Sequence, residues 1–137
     1  MRKIKLFGVV AIVTIIGLAS CGKYEEGPAV SFRSKKARIE GDWKLVKQIV
    51  DGKEETLDAD DKDDVFKFNK DGTYELTDPG NGTEKGKWTF NDGKESLTIT
   101  ESSSGFAIVA KILKLKNNEM WLEFDFFGSK STQHYEQ

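Results

Sequence analysis

From Gly41 onward, apolar and polar side chains alternate along the chain, and this alternation limits the fold more than any other feature. A period of two is typical of strands that bury one face and expose the other. Hairpin-forming pairs interrupt the pattern about every 8–12 residues, a spacing typical of sandwiches and barrels. Examples are Asp71-Gly72, Asn81-Gly82 and Asp92-Gly93. The sequence therefore predicts an all-β protein made of antiparallel strands and short turns.

Eight strands follow from this pattern. They cover residues 42–50, 64–69, 73–77, 83–90, 96–101, 106–116, 119–127 and 132–137, and an acid-rich loop follows the first. Proline falls within none of them, as the hydrogen bonding of a strand ladder requires. Eight strands joined in order are enough to close a barrel, which removes exposed sheet edges. We therefore expect an eight-stranded antiparallel up-and-down β-barrel, preceded by a short helical turn.

The sixth and seventh predicted strands depart from simple alternation. In the sixth, the apolar face switches near Lys111–Leu113, which predicts a β-bulge. The seventh is apolar on both faces, with Trp121 and Phe127 on the side away from the interior. A wall that faces only water does not need these two rings, so we expect something to cover them. The N-terminal turn, with Phe32 and Ile39, is the nearest candidate, and a dimer or another partner is the alternative.

Residues 1–20 resemble a lipoprotein signal peptide. Three basic residues among the first five precede the apolar run 6–18, which is shorter than the roughly 20 residues of a membrane-spanning helix. Cys21, the only cysteine, follows Ala19-Ser20 at the position where a bacterial lipobox has its lipidated cysteine. This resemblance implies that residues 1–20 are removed and that Cys21 carries the lipid anchor. An ordinary signal peptide with an incidental cysteine is the alternative.

The predicted mature chain then has two parts. Residues 21–33 predict an acidic tether, and residues 34–137 predict the barrel domain, in which Ser34 suits the N-cap of a helical turn. Lys23 with Glu25 and Glu26 also resembles the surface-export tag of some Gram-negative lipoproteins, although a solvated linker explains these charges equally well. We expect a lipid-anchored protein of the outer membrane in the cell envelope, and the sequence leaves export to the cell surface open.

The composition argues against several function classes. The chain has 21 Lys and Arg against 23 Asp and Glu, and three of the basic residues fall in the predicted signal peptide. A mildly acidic mature chain is a poor partner for nucleic acid. One histidine, His134, and one cysteine are too few for a zinc site of these residues or for usual nucleophile–base catalysis. We therefore expect no cofactor and no enzymatic activity.

The acid-rich loop contains the one cluster of candidate metal ligands. Asp58, Asp60, Asp63 and Asp64 supply the oxygen ligands that calcium prefers. However, the fifth position of an EF-hand loop would be Lys62, and no glycine follows it. The cluster is thus a weak calcium candidate, and a solvated loop is the default interpretation.

The barrel interior is the remaining place for a site. Seven large rings are the candidate ligand-lining residues: Phe66, Phe68, Tyr74, Trp88, Phe90, Phe106 and Phe124. An eight-stranded barrel is near the size at which side chains either fill the interior or leave room for one small ligand. These rings therefore predict either a packed core or a shallow apolar pocket at the open end.

The motifs in order resemble those of the small lipocalin-like lipoproteins of bacteria. After the lipobox and the acidic tether come Ser-Lys-Lys-Ala-Arg at 34–38, Gly-x-Trp at 41–43, Phe-x-Phe-x-x-Asp-Gly-Thr-Tyr at 66–74 and Gly-x-Trp-x-Phe at 86–90. The resemblance implies an up-and-down barrel whose closed end is plugged by Gly41 and Trp43. In lipocalins an arginine near the end of the last strand packs over this tryptophan, whereas this chain has no arginine after Arg38.

Two function classes are consistent with these observations. The first is a membrane-anchored lipocalin-like lipoprotein that binds a small hydrophobic ligand in the cell envelope. The second is a non-catalytic interaction or structural lipoprotein with a filled barrel, whose outer face at Trp121 and Phe127 meets a partner protein.

Overall fold

The structure, a computed structural model, describes residues 33–137. The predicted signal peptide, Cys21, Phe32 and nearly all of the predicted tether lie outside these residues. Within the described part of the chain, no helix is long and apolar enough to cross a membrane.

The described chain is mainly β-strand. Its elements are α1 (Lys35–Ile39), β1 (Gly41–Val50), β2 (Lys53–Glu55), α2 (Ala59–Asp63), β3 (Val65–Phe68), β4 (Thr73–Asp78), β5 (Gly82–Phe90), β6 (Ser96–Glu101), β7 (Ala107–Leu115), β8 (Glu119–Phe126) and β9 (Ser129–Glu136), with a 3-10 turn at Asp92–Lys94 before β6.

The strands close into a barrel, as predicted. From β3 to β9 each strand pairs antiparallel with the next, and β1 pairs with both β3 and β9. These eight strands form the wall, so the eight-stranded up-and-down barrel is confirmed. The ninth strand, β2, pairs with the last residues of β1, from Gln48↔Glu55 to Val50↔Lys53. It extends the rim rather than the wall.

The barrel has two distinct ends. The turns that follow β3, β5 and β7 lie at one end together with the start of β1, and we call it the closed end. The turns that follow β1, β4, β6 and β8 lie at the opposite end, together with β2 and α2, and we call it the open end.

Helix α1 covers the closed end. Ser34 caps it as predicted, because its Oγ accepts a hydrogen bond from the backbone N–H of Ala37 at 3.1 Å. Arg38 is buried and its Nη1 donates to the carbonyl of Leu115 at 2.8 Å. Ile39 is fully buried, and its carbonyl accepts a hydrogen bond from Trp43 Nε1 at 2.6 Å. The short helix is thereby attached to β1 and β7.

Trp43 and Gly41 lie where the resemblance implies, at the closed end. Trp43 is fully buried in the core. Gly41 has a φ of 131°, which a side chain rarely adopts, and a Cβ there would lie 2.5 Å from Nε2 of Gln137. The C-terminal residue therefore packs against the first residue of β1, and Gln137 Nε2 donates to the carbonyl of Glu40 at 3.0 Å.

The predicted β-bulge is present in β7. Ile112 pairs with Leu122 and Lys114 with Trp121, so Leu113 is the extra residue that reverses the alternation. A second bulge, which the sequence pattern does not predict, lies in β1 at Val46 between Leu45 and Lys47.

The closed half of the barrel is solidly packed. Its fully buried side chains are Ile39, Trp43, Leu97, Leu115, Met120 and Leu122, with Phe68 and Ile112 nearly so. The closed half therefore matches the packed core, which is one of the two interiors that the sequence predicts.

The loop that follows β1 is more ordered than predicted. It contains β2 and α2 rather than an irregular acidic segment. Asp51 begins the turn between β1 and β2 and connects this turn to β9. The Asp51 carboxylate accepts hydrogen bonds from Lys130 N at 2.8 Å and Ser129 Oγ at 2.9 Å. These contacts lower the Asp51 pKa, the Lys130 backbone bond most strongly. Strand β9 accordingly begins at Ser129, earlier than the predicted residue 132.

Candidate functional site

A cavity of about 300 Å³ lies in the open half of the barrel, above Trp43. Its lining residues come from all eight wall strands, from α2 and from the residue after α2. They are Trp43, Leu45, Gln48, Asp61, Asp64, Phe66, Tyr74, Leu76, Glu84, Ile99, Ile108, Phe124, Phe126, Gln133 and Tyr135. Because strands from both ends of the described chain contribute to the lining, the cavity joins residues that are distant in sequence. The interior is thus filled in one half and hollow in the other.

Three of the seven rings proposed from the sequence line this cavity: Phe66, Tyr74 and Phe124. Phe66 and Tyr74 contact each other edge to face, with ring centroids 5.3 Å apart. Tyr135, a ring that the sequence analysis did not select, also faces Phe66 at 6.2 Å. These contacts fix the aromatic side of the cavity, since edge-to-face pairs hold rings in defined orientations.

Phe68, Trp88 and Phe90 belong to the packed layer rather than to the cavity. The Trp88 ring meets Phe68 at 5.7 Å and Phe90 at 5.8 Å, both nearly perpendicular. Trp88 Nε1 also donates to the carbonyl of Asn69 at 3.1 Å, which places this layer next to the turn at the closed end. For these three residues the packed-core interpretation describes the structure.

The assignment of Phe106 to the interior is wrong. Phe106 precedes β7 and is 64% exposed. Its carbonyl accepts a backbone hydrogen bond from Glu101 N at 2.8 Å, close to the tip of the β6–β7 hairpin. The residue therefore lies at the rim, where no opposing wall remains to enclose its ring. It lines a shallow outer groove with Val109, Phe126 and Phe127.

The polar groups of the cavity are mostly paired with each other. Tyr74 Oη donates to Glu84 Oε1 at 2.6 Å, and Tyr135 Oη donates to Gln133 Oε1. Burial raises the pKa of both tyrosines, and the Glu84 contact adds to the effect on Tyr74. Both phenols are therefore protonated at neutral pH and act as hydrogen-bond donors. On the same wall, Gln48 Nε2 donates to Ser131 Oγ at 3.2 Å.

Asp64 is the exception among these polar groups. Its Oδ1 is buried and has no hydrogen-bond partner. Burial raises the Asp64 pKa, and Asp78, Asp61, Asp60 and Asp63 raise it further. Every charged neighbour that shifts this pKa is thus an acid.

The calcium candidate is not supported. Within residues 33–137, no group of three or more acidic, histidine or cysteine side chains is arranged to hold a metal ion. Asp60 and Asp63 lie within α2, Asp58 occupies its N-cap position without a side-chain capping hydrogen bond, and Asp64 follows it. Asp60 and Asp63 are three residues apart and share one face of α2, but Asp58 and Asp64 lie beyond its two ends, so the four carboxylates do not converge on one point.

The outer face of β8 is covered by its own neighbours. Trp121 stacks on His134 of β9, with ring centroids 4.0 Å apart and an angle of 6°. Lys114 Nζ lies 4.3 Å from the Trp121 centroid, and Trp121 Nε1 donates to Glu119 Oε1 at 2.9 Å. Neighbouring residues of the sheet thus cover part of the Trp121 ring, which remains partly exposed, and a contact of this face with a partner stays a prediction.

Phe127 does not share the face of Trp121. It lies after β8 in the hairpin turn, has a φ of 55° and is fully exposed. The turn reorients the chain, so the alternation that placed Phe127 beside Trp121 ends at Phe126. Phe127 instead belongs to the rim, next to Phe106 and Phe126.

Sequence reasoning missed the polar part of the cavity. Gln48, Glu84 and Gln133 occupy inward positions of β1, β5 and β9, where the alternation predicts apolar side chains. Leu76 and Ile99 were assigned to strands but not to a site. A signal was available, because Leu76 shares a strand face with Tyr74, and inward polar residues in a small barrel indicate a cavity rather than a core.

The fold and cavity define the class of small β-barrels that enclose one ligand-sized space. Residues 39–122 match the lipocalin-like domain family, which is more than half of the chain, so the chain belongs to this family.

Solved structures share the fold at low sequence identity. A lipocalin-like protein from Bacteroides uniformis aligns with a TM-score of 0.53 and 17% identity over 73% of this chain and 98% of that one. An uncharacterized protein from Bacteroides eggerthii aligns with a TM-score of 0.53 and 18% identity over 72% of this chain and 98% of that one. Among curated proteins, none matches the chain.

Proposed function

We propose that this protein binds a small hydrophobic ligand in the open-end cavity and is anchored to the cell envelope through Cys21. The observation that carries the proposal is the cavity itself. Its volume of about 300 Å³ is at the small end of the roughly 300–1,000 Å³ typical of small-molecule pockets. Trp43 closes the cavity on the side of the packed, closed half, and Leu45, Leu76 and Ile99 supply aliphatic walls. A ligand buried there would gain free energy from the removal of apolar surface from water.

The proposed role is non-catalytic. His134 stacks on the outer face of the barrel and does not line the cavity. Burial lowers its pKa, so the imidazole stays neutral at physiological pH. In the cavity, the hydroxyls of Tyr74 and Tyr135 are engaged with Glu84 and Gln133. These pairs favour binding and orientation of a ligand over proton transfer to it.

Titration calorimetry with octanol and octylamine tests the proposed binding. We expect at least one of these compounds to bind the wild-type protein. Leu76→Trp places a large ring in the cavity and should abolish binding. Thr77→Trp, which adds the same ring at the next, exposed position of β4, is the matched control and should bind as the wild type does. Failure of both compounds to bind the wild type would count against the cavity as a ligand site.

The proposed anchor is tested independently. Cys21→Ser should move the protein from the membrane fraction of its host to the soluble envelope fraction, because the thiol is the attachment point of the lipid. In the wild type, fractionation should place the protein in the outer membrane, and protease treatment of whole cells reports whether it reaches the surface. Retention of Cys21→Ser in the membrane would refute lipidation and leave the cavity proposal intact.

Exposed apolar residues at the rim of the open end favour a second candidate function, that of an interaction lipoprotein of the envelope. Phe106, Val109, Phe126 and Phe127 are all about half exposed or more and lie in one groove. Contiguous exposed apolar surface often marks an interaction site. Native mass spectrometry of the purified protein distinguishes the two functions, since it reports both a retained ligand and the oligomeric state.

A further inference from the structure

The cavity has one feature that a purely hydrophobic ligand does not satisfy. Asp64 lines it, and the buried Oδ1 of that residue has no hydrogen-bond partner within the described chain. Asp64 is partly exposed, but a buried carboxylate oxygen without a hydrogen-bond partner is still costly. The partner of this oxygen is therefore a water molecule, a residue outside the described part of the chain, or a ligand that displaces the water.

The phenol hydroxyls of the cavity do not supply that partner. The nearby donors are already used, Tyr74 by Glu84 and Tyr135 by Gln133. The charges that influence Asp64 are other carboxylates, among them Asp61, which also lines the cavity. The negative potential at this side of the cavity is thus uncompensated by the surrounding side chains, and an anionic ligand would increase it.

Aromatic rings lie close to the same carboxylate. Phe66, Tyr74 and Tyr135 form one contact group and all line the cavity. Asp64 lies two residues before Phe66 and lines the same cavity as Tyr135. Ring faces attract cations, and a cation next to both a carboxylate and aromatic faces is a recurring mode of ammonium recognition.

We propose that the ligand is a small amphipathic amine whose ammonium group pairs with Asp64 and whose apolar body lies along Phe66, Leu76 and Ile99. The inference rests on the proposed binding function and specifies the class of ligand. A singly charged ammonium fits better than a divalent metal ion, because within residues 33–137 no three metal-binding side chains converge. A fatty acid is disfavoured, because its carboxylate would meet Asp64, Asp61 and Glu84.

Three compounds that share one alkyl chain and differ in the head group test this proposal. Octylamine, octanol and octanoate are titrated into the wild-type protein by calorimetry at neutral pH. We expect octylamine to bind about tenfold or more tightly than octanol, since a charge-assisted hydrogen bond is roughly twice as strong as a neutral one. Octanoate should bind more weakly than octanol.

The variant Asp64→Asn removes the charge and retains the shape of the side chain. It should reduce the preference for octylamine over octanol to less than about threefold while leaving octanol binding unchanged. Asp63→Asn is the matched control, because Asp63 is an exposed acid in α2 that does not line the cavity. It removes the same formal charge one residue away and should keep the wild-type preference.

The outcomes separate the two proposals. If octanol binds the wild type as tightly as octylamine, the proposal of an amine ligand is wrong, whereas the proposal that the cavity binds a hydrophobic ligand is retained. If the preference for octylamine survives in Asp64→Asn, the assignment of the ammonium to Asp64 is wrong. If none of the three compounds binds, the proposed binding function fails and this inference fails with it. The wild-type comparison requires no variant, so the test does not depend on how Asp64→Asn folds.

Discussion

Gly86 is the position at which the barrel leaves no space for a side chain. It is buried in β5 and pairs with Tyr74 on one side and Glu101 on the other. A Cβ at Gly86 would lie 2.0 Å from the carbonyl oxygen of Thr100 and 2.5 Å from Cε1 of Tyr74, whereas ordinary contacts begin at 3.4 Å. Gly86→Ala must therefore separate β5 from β6 or displace the Tyr74 ring.

The expected cost follows from these distances. The backbone contact requires a movement of more than about 1 Å, and a strand paired on both sides resists it. Overpacking of a core typically costs about 1–3 kcal/mol, and we expect the upper end, about 3 kcal/mol. For a domain of about 100 residues, each kcal/mol shifts Tm by roughly 4–8 °C, so Gly86→Ala should melt about 12–24 °C lower. Urea unfolding followed by circular dichroism should give a lower midpoint with an unchanged slope.

The matched control is Gly80→Ala in the turn between β4 and β5. There the nearest heavy atom to an added Cβ is Oδ1 of Asp78 at 3.4 Å, an ordinary contact. The stability of Gly80→Ala should stay within about 0.5 kcal/mol of the wild type. Equal stability of the two variants would refute the reasoning, because it would mean that β5 moves away from its neighbours at no cost. Because Tyr74 lines the cavity, Gly86→Ala should also weaken octylamine binding.

Three further predictions concern single side chains. Trp43→Phe removes the hydrogen bond to the Ile39 carbonyl and leaves that buried oxygen unpaired, which should cost about 2 kcal/mol in urea unfolding; a loss below about 0.5 kcal/mol would contradict it. The Asp64 pKa is raised in the folded protein, so the stability gained from its protonated form is complete below the unfolded pKa of about 3.9 and is lost as pH rises through the folded value. Asp64→Asn should therefore be more stable than the wild type at pH 7 but not at pH 3, as thermal unfolding would show, and lower stability at pH 7 would refute this. Trp121→Ala should lower Tm, since the ring is packed, whereas Phe127→Asn should leave Tm unchanged or slightly raised, because Asn tolerates the φ of 55°; equal losses would place both residues on one packed face.

Local patterns predicted the parts of the fold that local physics controls. The Asp71-Gly72 turn, the N-cap at Ser34 and the bulge at Leu113 depend on a few neighbouring residues, and all three are present. The closed barrel followed from the number of strands and the shortness of their connections. The pattern failed at Phe106 and Phe127, because the alternation in the sequence extends beyond the strands themselves: Phe106 precedes β7 and Phe127 follows β8.

The sequence could not show which half of the barrel interior is packed and which half is hollow. The pattern identifies Phe66, Phe68 and Trp88 as inward, yet only Phe66 reaches the cavity. Depth along the barrel axis depends on the stagger between neighbouring strands, and stagger is set by pairing across the whole sheet. The same limit applies to Asp64, which shares the cavity with Tyr135 only because β9 returns to pair with β1.

By itself, the sequence determined that this chain forms an up-and-down barrel, since the periodicity of two and the turn residues act over a few positions each. It also predicted the anchor at Cys21, which lies outside the described residues. Only the tertiary structure decided where the barrel is hollow, which rings line the hollow, and that Asp64 faces it without a partner. Those properties arise from contacts between strands far apart in sequence, and packing rather than alternation decides them.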